Sequence, residues 1–218
     1  MTPYYQDEQA TIYHGDCREI MPTLNFDVIV TDPPYGISWS RKANSKNRSS
    51  TAHPGILNDE DTTARDEALA LRRSAPALVF GSFYASQPAD IKQILVWQKG
   101  DTQGVVGSVT GYRRDVEPVY LVGGWPQRNV KWSSLVRSAR GSWNDELSVT
   151  GHPHTKPLDL MRLLVERCPP GVVLDPFMGS GSTLRAAKEL GRQAIGIELD
   201  EKYCQVAVDR LAQGVLFT

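Results

Sequence analysis

A carboxylate, two prolines and an aromatic ring follow one another at Asp32, Pro33, Pro34 and Tyr35, and this combination could carry chemistry. Proline has no backbone N–H, so this short segment offers mainly hydrogen-bond acceptors. Together with the Asp32 carboxylate, the cluster is suited to hold an NH2 group, and the Tyr35 ring offers a stacking face for a planar molecule. An ordinary turn with a buried tyrosine is the alternative interpretation, because Asp-Pro-Pro is also common turn chemistry.

A second candidate site lies in residues 174–183, where Gly179 and Gly181 separate an apolar run from a predicted helix. Glycine lets the backbone approach a ligand closely, and N–H groups at a helix N-terminus favour electron-rich groups. Glu198 follows about 20 residues after the first glycine, where nucleotide-binding folds place an acid that hydrogen-bonds ribose hydroxyls. The dinucleotide pattern is not matched, because Leu184 occupies the place of its last glycine. We therefore expect a nucleoside-bearing cofactor without a pyrophosphate.

Basic residues are concentrated in two stretches, although the chain of 218 residues has a formal net charge of -1. No acidic residue lies between Asp32 and Asp59 or between Glu117 and Asp145. Cations neutralise phosphates and flat rings stack on bases, so the pattern favours nucleic-acid binding about as much as a pair of solvated loops. The stretches contain Arg41, Lys42, Lys46 and Arg48, then Arg128, Lys131, Arg137 and Arg140, and the tryptophans Trp39, Trp125, Trp132 and Trp143.

The elements that must position these residues follow from the hydrophobic pattern. The last third alternates strand, helix, strand and helix, which predicts an α/β fold with a doubly wound, mostly parallel sheet. The polar stretch from Gly36 to Pro54 is typical of a loop, and Asp61 is expected to cap the helix that follows. We predict strands at residues 10–14, 26–31, 77–81, 91–98, 118–122, 172–175 and 193–198, and helices at 62–74, from 157 onward, at 182–190 and at 200–212.

The composition argues against several classes of protein. No run of about 18 apolar residues is present, and the N-terminus lacks the pattern of a secretory signal. Cys17, Cys168 and Cys204 form no CxxC pair, so we expect small core or surface residues and neither disulfides nor a cysteine-based zinc site. No histidine pairs with carboxylates at metal-ligand spacing, so no metal is predicted. We expect one domain over residues 1–218 in a reducing cytoplasm.

Five short motifs, spread in order over most of the chain, resemble those of the amino-group DNA methyltransferases that use S-adenosylmethionine. Their order, with the catalytic motif before the cofactor motif, is typical of one branch of that family and implies a Rossmann-like fold in circularly permuted order. The motifs are GD at residues 15–16, DPPY at 32–35, a segment similar to HPTxKP at 152–157 with His154 in place of threonine, DPFxGSG at 175–181, and the ribose-binding acid at Glu198.

The resemblance implies a mechanism for the first cluster. The exocyclic amine of a base is a poor nucleophile because its lone pair is delocalised into the ring. Hydrogen bonds from that amine to Asp32 and to the Pro33 carbonyl would localise the lone pair for direct attack on the cofactor's methyl group. The base must leave the duplex and stack on Tyr35. The residues implied in cofactor binding are Asp16, Lys156, Asp175, Phe177, Gly179, Ser180, Gly181, Ser182, Thr183 and Glu198.

DNA is the implied partner, and the two basic stretches are where we expect it to bind. A loop over about residues 37–58 is expected to be mobile without DNA. Its residues that would contact DNA are Arg41, Lys42, Lys46 and Arg48. Residues of about 124–151 form a short candidate target-recognition region, whose contacts would be Arg128, Lys131, Arg137 and Arg140. A homodimer fits the resemblance, as does the cytoplasm of a bacterium or a virus inside one, and no membrane partner is expected.

Several functions compete at this level. Adenine-N6 methylation leads, because cytosine-N4 members of the family more often carry serine where this chain has Asp32. Cytosine-N4 methylation is the alternative. In methyltransferases that act on RNA or protein, the corresponding motif resembles NPPY and the glycine turn precedes it, which is opposite to the order here. A nucleic-acid-binding protein that has lost turnover is a further alternative, disfavoured by the intact Asp32, Tyr35, Gly179 and Glu198.

Overall fold

The computed structural model describes residues 1–37, 57–100, 111–137 and 155–212, which form one sheet of nine strands with helices packed on it. The strands are β1 (Tyr5–Gln6), β2 (Ala10–His14), β3 (Val28–Thr31), β4 (Ala77–Phe80), β5 (Ile91–Gln98), β6 (Val116–Val122), β7 (Leu135–Arg137), β8 (Val173–Asp175) and β9 (Ala194–Glu198). Their order across the sheet is β1, β2, β9, β8, β3, β4, β6, β5 and β7. The five neighbouring strands β2, β9, β8, β3 and β4 are parallel to one another, whereas β1 and β6 run antiparallel to their neighbours.

The helices connect the parallel strands. They are α1 (Cys17–Ile20), α2 (Thr63–Ala70), α3 (Leu158–Glu166), α4 (Ser182–Glu189) and α5 (Glu201–Ala212), with a short 3-10 helix at Met21–Thr23. Thr62 is the N-cap of α2, one residue later than expected, and the carboxylate of the preceding Asp61 accepts the Thr63 N–H at 2.8 Å. The helix ends at Ala70 rather than at residue 74, because Arg73 adopts a left-handed conformation with φ of 56°.

Two hydrophobic cores lie on the two faces of the sheet. The β3 residues Val28, Ile29 and Val30 are fully buried, as expected for a central parallel strand covered on both sides. One core packs α3 and its Leu160 against the sheet, and the other packs α2 on the opposite face. All three cysteines are buried, in agreement with their interpretation as small core residues.

The position of the site follows from the chain connections. We call the edge where β2, β9, β8, β3 and β4 end the carboxyl edge, and the edge where they begin the amino edge. From β8 the chain continues through α4 to β9 on one side, whereas from β3 it continues through α2 to β4 on the other. Open α/β sheets bind ligands at the carboxyl edge where such a reversal occurs, which here lies between β8 and β3.

All the predicted strands and helices are present, with bounds that shift by a few residues. Four of the described elements were not predicted: β1, α1, the 3-10 helix Met21–Thr23 and β7. β7 has only three residues, of which Leu135 and Arg137 are exposed, so its sequence carries no clear alternation. It forms because it pairs in parallel with the end of β5, a contact that no local pattern encodes.

Candidate active site

The Asp32 carboxylate, directly after β3, lies at the centre of a hydrogen-bonded group. Its Oδ1 accepts the Tyr35 hydroxyl at 2.6 Å, and its Oδ2 lies 3.0 Å from the Lys156 Nζ. The same Nζ donates to the Tyr35 hydroxyl oxygen at 3.1 Å. The carboxylate keeps 22% of its surface exposed, so a ligand can still reach it. Burial raises the pKa of Asp32, and the Lys156 ammonium opposes that rise.

Lys156 also binds a second carboxylate, which no sequence motif indicated. Its Nζ donates to Glu117 Oε2 at 3.2 Å, and Glu117 Oε1 forms an ion pair with Lys99 at 2.6 Å. Burial raises the pKa of Glu117, but the two ammonium groups outweigh it and hold that pKa below its usual value. Burial lowers the pKa of Lys156, but Asp32 and Glu117 outweigh it, so the ammonium stays charged. Lys156 was predicted to bind the cofactor, whereas the structure places its ammonium beside Asp32.

Asp175, at the end of β8, faces inward instead of toward a ligand. It is 3% exposed and accepts hydrogen bonds from the Thr31 hydroxyl at 2.7 Å, the Thr183 hydroxyl at 2.5 Å and the Phe177 N–H at 3.1 Å. Burial raises the pKa of Asp175 to about 7. Because these hydroxyls belong to β3 and α4, the carboxyl ties the two strand ends and the glycine turn together.

The serines of the glycine turn are also directed into the protein. Ser180 and Ser182 are buried, and the Arg210 guanidinium of α5 donates to both hydroxyls at 3.2 and 3.1 Å. Gly181 has φ of 79°, and a Cβ there would lie 2.8 Å from the Ala207 Cβ. Gly181 therefore lets α5 pack closely against the turn. The part of the turn that stays partly exposed is the backbone around Phe177 and Gly179.

Two acids border this exposed backbone at the ends of the neighbouring strands. Glu198, at the end of β9, accepts the Gly179 N–H at 2.9 Å and the Asp200 N–H at 2.8 Å. Asp16, just after β2, caps α1 through the Arg18 N–H and also accepts the Arg18 Nε at 2.9 Å. Hydrogen bonds from Arg18 lower the pKa of Asp16, whereas burial raises that of Glu198. Both acids are partly exposed.

Residues 155–157 join the two halves of the site. The Thr155 and Ser180 hydroxyls are hydrogen-bonded at 3.1 Å, and the Ser182 hydroxyl donates to the Lys156 carbonyl at 3.0 Å. The side chain of Lys156 therefore reaches the end of β3 while its backbone is held by the turn after β8. His152 and His154, from the same motif, lie outside the described residues.

The first basic stretch lies outside the described residues, but its two ends are held together. The buried Asp59 carboxylate accepts the Gly36 N–H at 2.8 Å. Gly36 has φ of 72°, and a Cβ there would come within 3 Å of the Asp61 backbone. The closure positions both ends of the segment beside Tyr35. The predicted DNA contacts Arg41, Lys42, Lys46 and Arg48 belong to the part that the structure does not describe.

The second basic stretch is divided between the two edges of the sheet. Arg128 donates to the Cys168 carbonyl at 3.0 Å, which places it at the amino edge, far from Asp32. Arg137 ends β7 at the carboxyl edge, where its Nε donates to Gln98 Oε1 at 3.0 Å. Lys131 is exposed on the segment between them, and Arg140 lies outside the described residues. The geometry thus brings Arg137, and not Arg128, to the side of the candidate active site.

Exposed aromatic residues surround the carboxyl edge and were missed from the sequence. Phe83 and Tyr84 follow β4 and are 50% and 72% exposed, and Tyr112, before β6, is 83% exposed. The Arg114 guanidinium lies 4.5 Å from the centre of the Tyr84 ring. Exposed rings beside cations suit stacking on bases and contact with phosphates. The sequence did not single them out, because only the fold brings them to the same edge of the sheet.

Other kinds of site are not seen in the described part of the chain. Residues 1–37, 57–100, 111–137 and 155–212 contain no group of three or more histidine, cysteine or acidic side chains that could hold a metal. Within the same ranges, no helix combines the length and the apolar character that crossing a bilayer requires.

Comparison with known proteins identifies the class. The model of the N6/N4 family described as DNA methylase matches residues 79–209, and the chain belongs to this family. It is 31% identical over 217 residues to a protein of Escherichia coli (strain K12) that carries the name methylase YubD, covering 91% of this chain and 88% of that protein. It is 27% identical over 265 residues to the type II methyltransferase M.ScaI of Streptomyces caespitosus, covering 96% and 83%.

Solved structures agree on the fold. The M1.HpyAVI-SAM complex matches with a TM-score of 0.65 and 23% identity, over 93% of this chain and 99% of that one. The cytosine-N4-specific PvuII DNA methyltransferase matches with a TM-score of 0.69 and 15% identity, over 99% and 90%. The predicted family and the Rossmann-like α/β fold are therefore confirmed. The chain is a DNA methyltransferase of the class that modifies exocyclic amino groups.

Proposed function

We propose that this protein transfers a methyl group from S-adenosylmethionine to the N6 amine of adenine within a specific DNA sequence. The observation that carries the proposal is the partly exposed Asp32 carboxylate at the crevice between β3 and β8, one strand away from the turn bordered by Asp16 and Glu198. The serine that is more common in cytosine-N4 members is absent at this position, which supports adenine.

The residues of the crevice fit a nucleoside cofactor. Glu198 and Asp16 are carboxylates at adjacent strand ends, suited to ribose hydroxyls and to an adenine amine. The backbone at Phe177 and Gly179 is partly exposed, and Gly179 has φ of 51°, so this turn can lie close to a ligand. The buried Asp175, Ser180, Ser182 and Thr183 support the shape of the turn and do not themselves face the crevice. The cofactor would supply a methyl group on a positively charged sulfur and would leave as S-adenosylhomocysteine once the S–CH3 bond is broken. The methylated amine would give up one proton to solvent.

The chain's own residues would orient and activate the target amine. The Asp32 carboxylate and the Pro33 carbonyl accept its two N–H groups, which favours a pyramidal nitrogen with a localised lone pair. Tyr35, held by its hydroxyl to Asp32, presents its ring to the extruded base. The segment 155–157 keeps the ends of β3 and β8 at a set distance, so much of the rate enhancement would come from alignment of the two reactants.

Nucleoside analysis tests this proposal. The purified protein is incubated with methyl-labelled S-adenosylmethionine and unmethylated genomic DNA, and the digested DNA is separated by chromatography. We expect label in N6-methyldeoxyadenosine and none in a parallel reaction with Asp32→Ala. Label in N4-methyldeoxycytidine would overturn the choice of base. Label in RNA alone, or no label at all, would overturn DNA methylation by this chain.

A further inference from the structure

The Lys156 ammonium uses all of its hydrogen-bond donors on oxygens of the protein. An ammonium has three N–H donors, and Lys156 has three oxygen neighbours, on Asp32, Tyr35 and Glu117, at 3.0, 3.1 and 3.2 Å. The side chain is only 10% exposed, so water contributes little. The rings of Phe80 and Trp97 lie 4.9 and 5.6 Å from the same nitrogen. The ammonium is therefore held by protein groups on every side.

The ammonium occupies a place that the substrate needs. A target amine must donate to Asp32, but Asp32 Oδ2 is already bound to Lys156, and Oδ1 to the Tyr35 hydroxyl. The NH3⁺ group of a lysine and the exocyclic NH2 group of a base are both N–H donors, and the two groups have similar size. In a partly dehydrated site a charged donor competes strongly for a carboxylate. A base that enters the site must share Asp32 with Lys156 or displace it.

Glu117 gives Lys156 a second carboxylate to bind. Glu117 lies on β6, which runs antiparallel to β4 and so begins at the carboxyl edge. Its Oε1 is bound by Lys99, so the four groups Asp32, Lys156, Glu117 and Lys99 alternate in sign and sum to zero. Lys156 can leave Asp32 and stay paired with Glu117, which avoids an unpaired buried charge.

We propose that Lys156 occupies the amine position beside Asp32 before the target base arrives, and that Glu117 is the positioning residue that receives Lys156 when the amine takes its place. This proposal rests on the proposed amino-group methylation. Glu117 does not touch the reacting atoms. It acts through Lys156, because without Glu117 the only carboxylate left to the ammonium is the one that the amine must bind.

A double-mutant cycle tests the proposal. Single-turnover methylation is measured with saturating S-adenosylmethionine and unmethylated genomic DNA for Glu117→Gln, Lys156→Met and the double variant. In Glu117→Gln the ammonium stays on Asp32, and we expect the rate to fall about tenfold. In the double variant the competitor is removed together with its counter-ion, and we expect most of the lost rate to return. A double variant as slow as Glu117→Gln, or slower, would overturn the proposal.

Binding measurements separate this role from a merely structural one. In Glu117→Gln, the Lys156 ammonium competes with the target amine for Asp32 inside the bound complex, which should reduce kcat. The KM for DNA and the dissociation constant of S-adenosylmethionine, measured by calorimetry, should stay near the wild-type values. A loss of cofactor affinity in Lys156→Met would assign this residue to the cofactor and overturn the proposal. The ion pair between Asp7 and Lys188, at 2.6 Å and of similar exposure, offers a matched control away from the site. Asp7→Asn/Lys188→Met should leave kcat unchanged.

The outcomes also distinguish this proposal from the proposed function. If the wild-type protein makes no methylated nucleoside, amino-group methylation fails and this proposal fails with it. If the wild type is active but the cycle shows no recovery, only the role of Glu117 is wrong. If Glu117→Gln does not fold, Lys156→Met is compared with the double variant. We expect equal rates, because Glu117 acts through Lys156 and has nothing to receive when Lys156 is absent, while Lys99 still pairs with Glu117. A double variant slower than Lys156→Met would show a role of Glu117 that is independent of Lys156 and would overturn the proposal.

Discussion

The two edges of the sheet use similar side chains for different purposes. At the carboxyl edge, Lys156 lies among aromatic rings and is bound by the carboxylates of Asp32 and Glu117. At the amino edge, the guanidinium groups of Arg128 and Arg167 lie 5.6 and 5.1 Å from the centre of the Trp132 ring. Both edges therefore combine cations with aromatic rings, although only one of them contains the catalytic motif.

The partners of the cations explain the difference. At the amino edge, two arginines bind main-chain oxygens: Arg128 donates to the Cys168 carbonyl, and Arg192 donates to the carbonyls of Val165, Pro169 and Gly171. These bonds satisfy the end of α3 and the turn into β8. A cavity of about 550 Å³ at this edge is lined by Arg128 and Arg192, but none of the candidate catalytic residues line it. Arg128 and Arg192 thus hold the chain in place, whereas Lys156 and Lys99 at the carboxyl edge balance the carboxylates of Asp32 and Glu117.

The largest expected effect is that of Asp32→Ala at the carboxyl edge. Removing the acceptor of the target amine should slow methyl transfer by about 10²–10³-fold, as for loss of a preorganised electrostatic contact. Cofactor affinity should stay nearly unchanged, because Asp32 faces the amine. Single-turnover rates and calorimetry check both statements. The matched control is Asp90→Ala, an ion-paired carboxylate at the amino edge, which should keep the wild-type rate. An equal fall in cofactor affinity would contradict the assignment of Asp32.

Asp175 should make the stability of the carboxyl edge depend on pH. Its pKa is raised from 3.8 to about 7, so the native state holds its proton more tightly than the unfolded chain. The contribution to stability is complete below about pH 4 and is lost as pH rises through about 7, by roughly 2–4 kcal/mol. Asp175→Asn resembles the protonated carboxyl and cannot lose this proton.

Unfolding by denaturant at pH 5 and pH 8 compares the two proteins. The free energy of unfolding of the wild type should fall relative to that of Asp175→Asn between these values. A difference between the two proteins that stays constant over this range would show that Asp175 is ionised at pH 5 in the native state. That result would contradict the pKa shift.

Glu198→Ala should weaken cofactor binding by roughly tenfold to a hundredfold, since a hydrogen bond to a charged group contributes about 1.5–3 kcal/mol. The loss has two causes: the ribose acceptor disappears, and the Gly179 N–H loses its partner. Glu198→Gln keeps one carbonyl acceptor and should lose less affinity. Calorimetry with S-adenosylmethionine measures both variants, and DNA binding serves as the control that should not change. Unchanged cofactor affinity in both would reject the turn after β8 as the cofactor site.

The smallest effect should separate two arginines of the same basic stretch. Arg137 lies at the carboxyl edge and Arg128 at the amino edge. Arg137→Ala should reduce the slope of log affinity against log salt by about 0.9, the value for one phosphate contact. Arg128→Ala should leave the slope unchanged and lower the melting temperature, because the Cys168 carbonyl loses its donor. Salt-titrated DNA binding and thermal unfolding check the pair. A reduced slope for Arg128→Ala would mean that DNA also contacts the amino edge.

Local patterns were sufficient for most of the fold, and they singled out the candidate catalytic motif at residues 32–35. The β-branched run before Asp32 and the apolar run before Asp175 each predicted a strand, and both are present. Their pairing side by side was not predicted. The motif at residues 32–35 was predictable because four consecutive residues carry its chemistry. A glycine turn was predicted at Gly181 as a place where the backbone approaches a ligand, whereas the structure shows that Gly181 leaves room for Ala207 of α5 to pack against the turn. Glu117 was missed because one glutamate on a strand has no sequence pattern of its own.

The sequence by itself determined the order of the longer strands and helices, the acceptor cluster after β3 and the acids after β2 and β9, because each depends on neighbouring residues. Only the tertiary structure decided which charged groups meet. Antiparallel β6 brings Glu117 to the carboxyl edge, and the segment before α3 brings Lys156 to the same point. The same folding carries Arg128 to the opposite edge. Charges separated by long stretches of chain interact only where the sheet places them, since their attraction falls off within about 10 Å in salt solution.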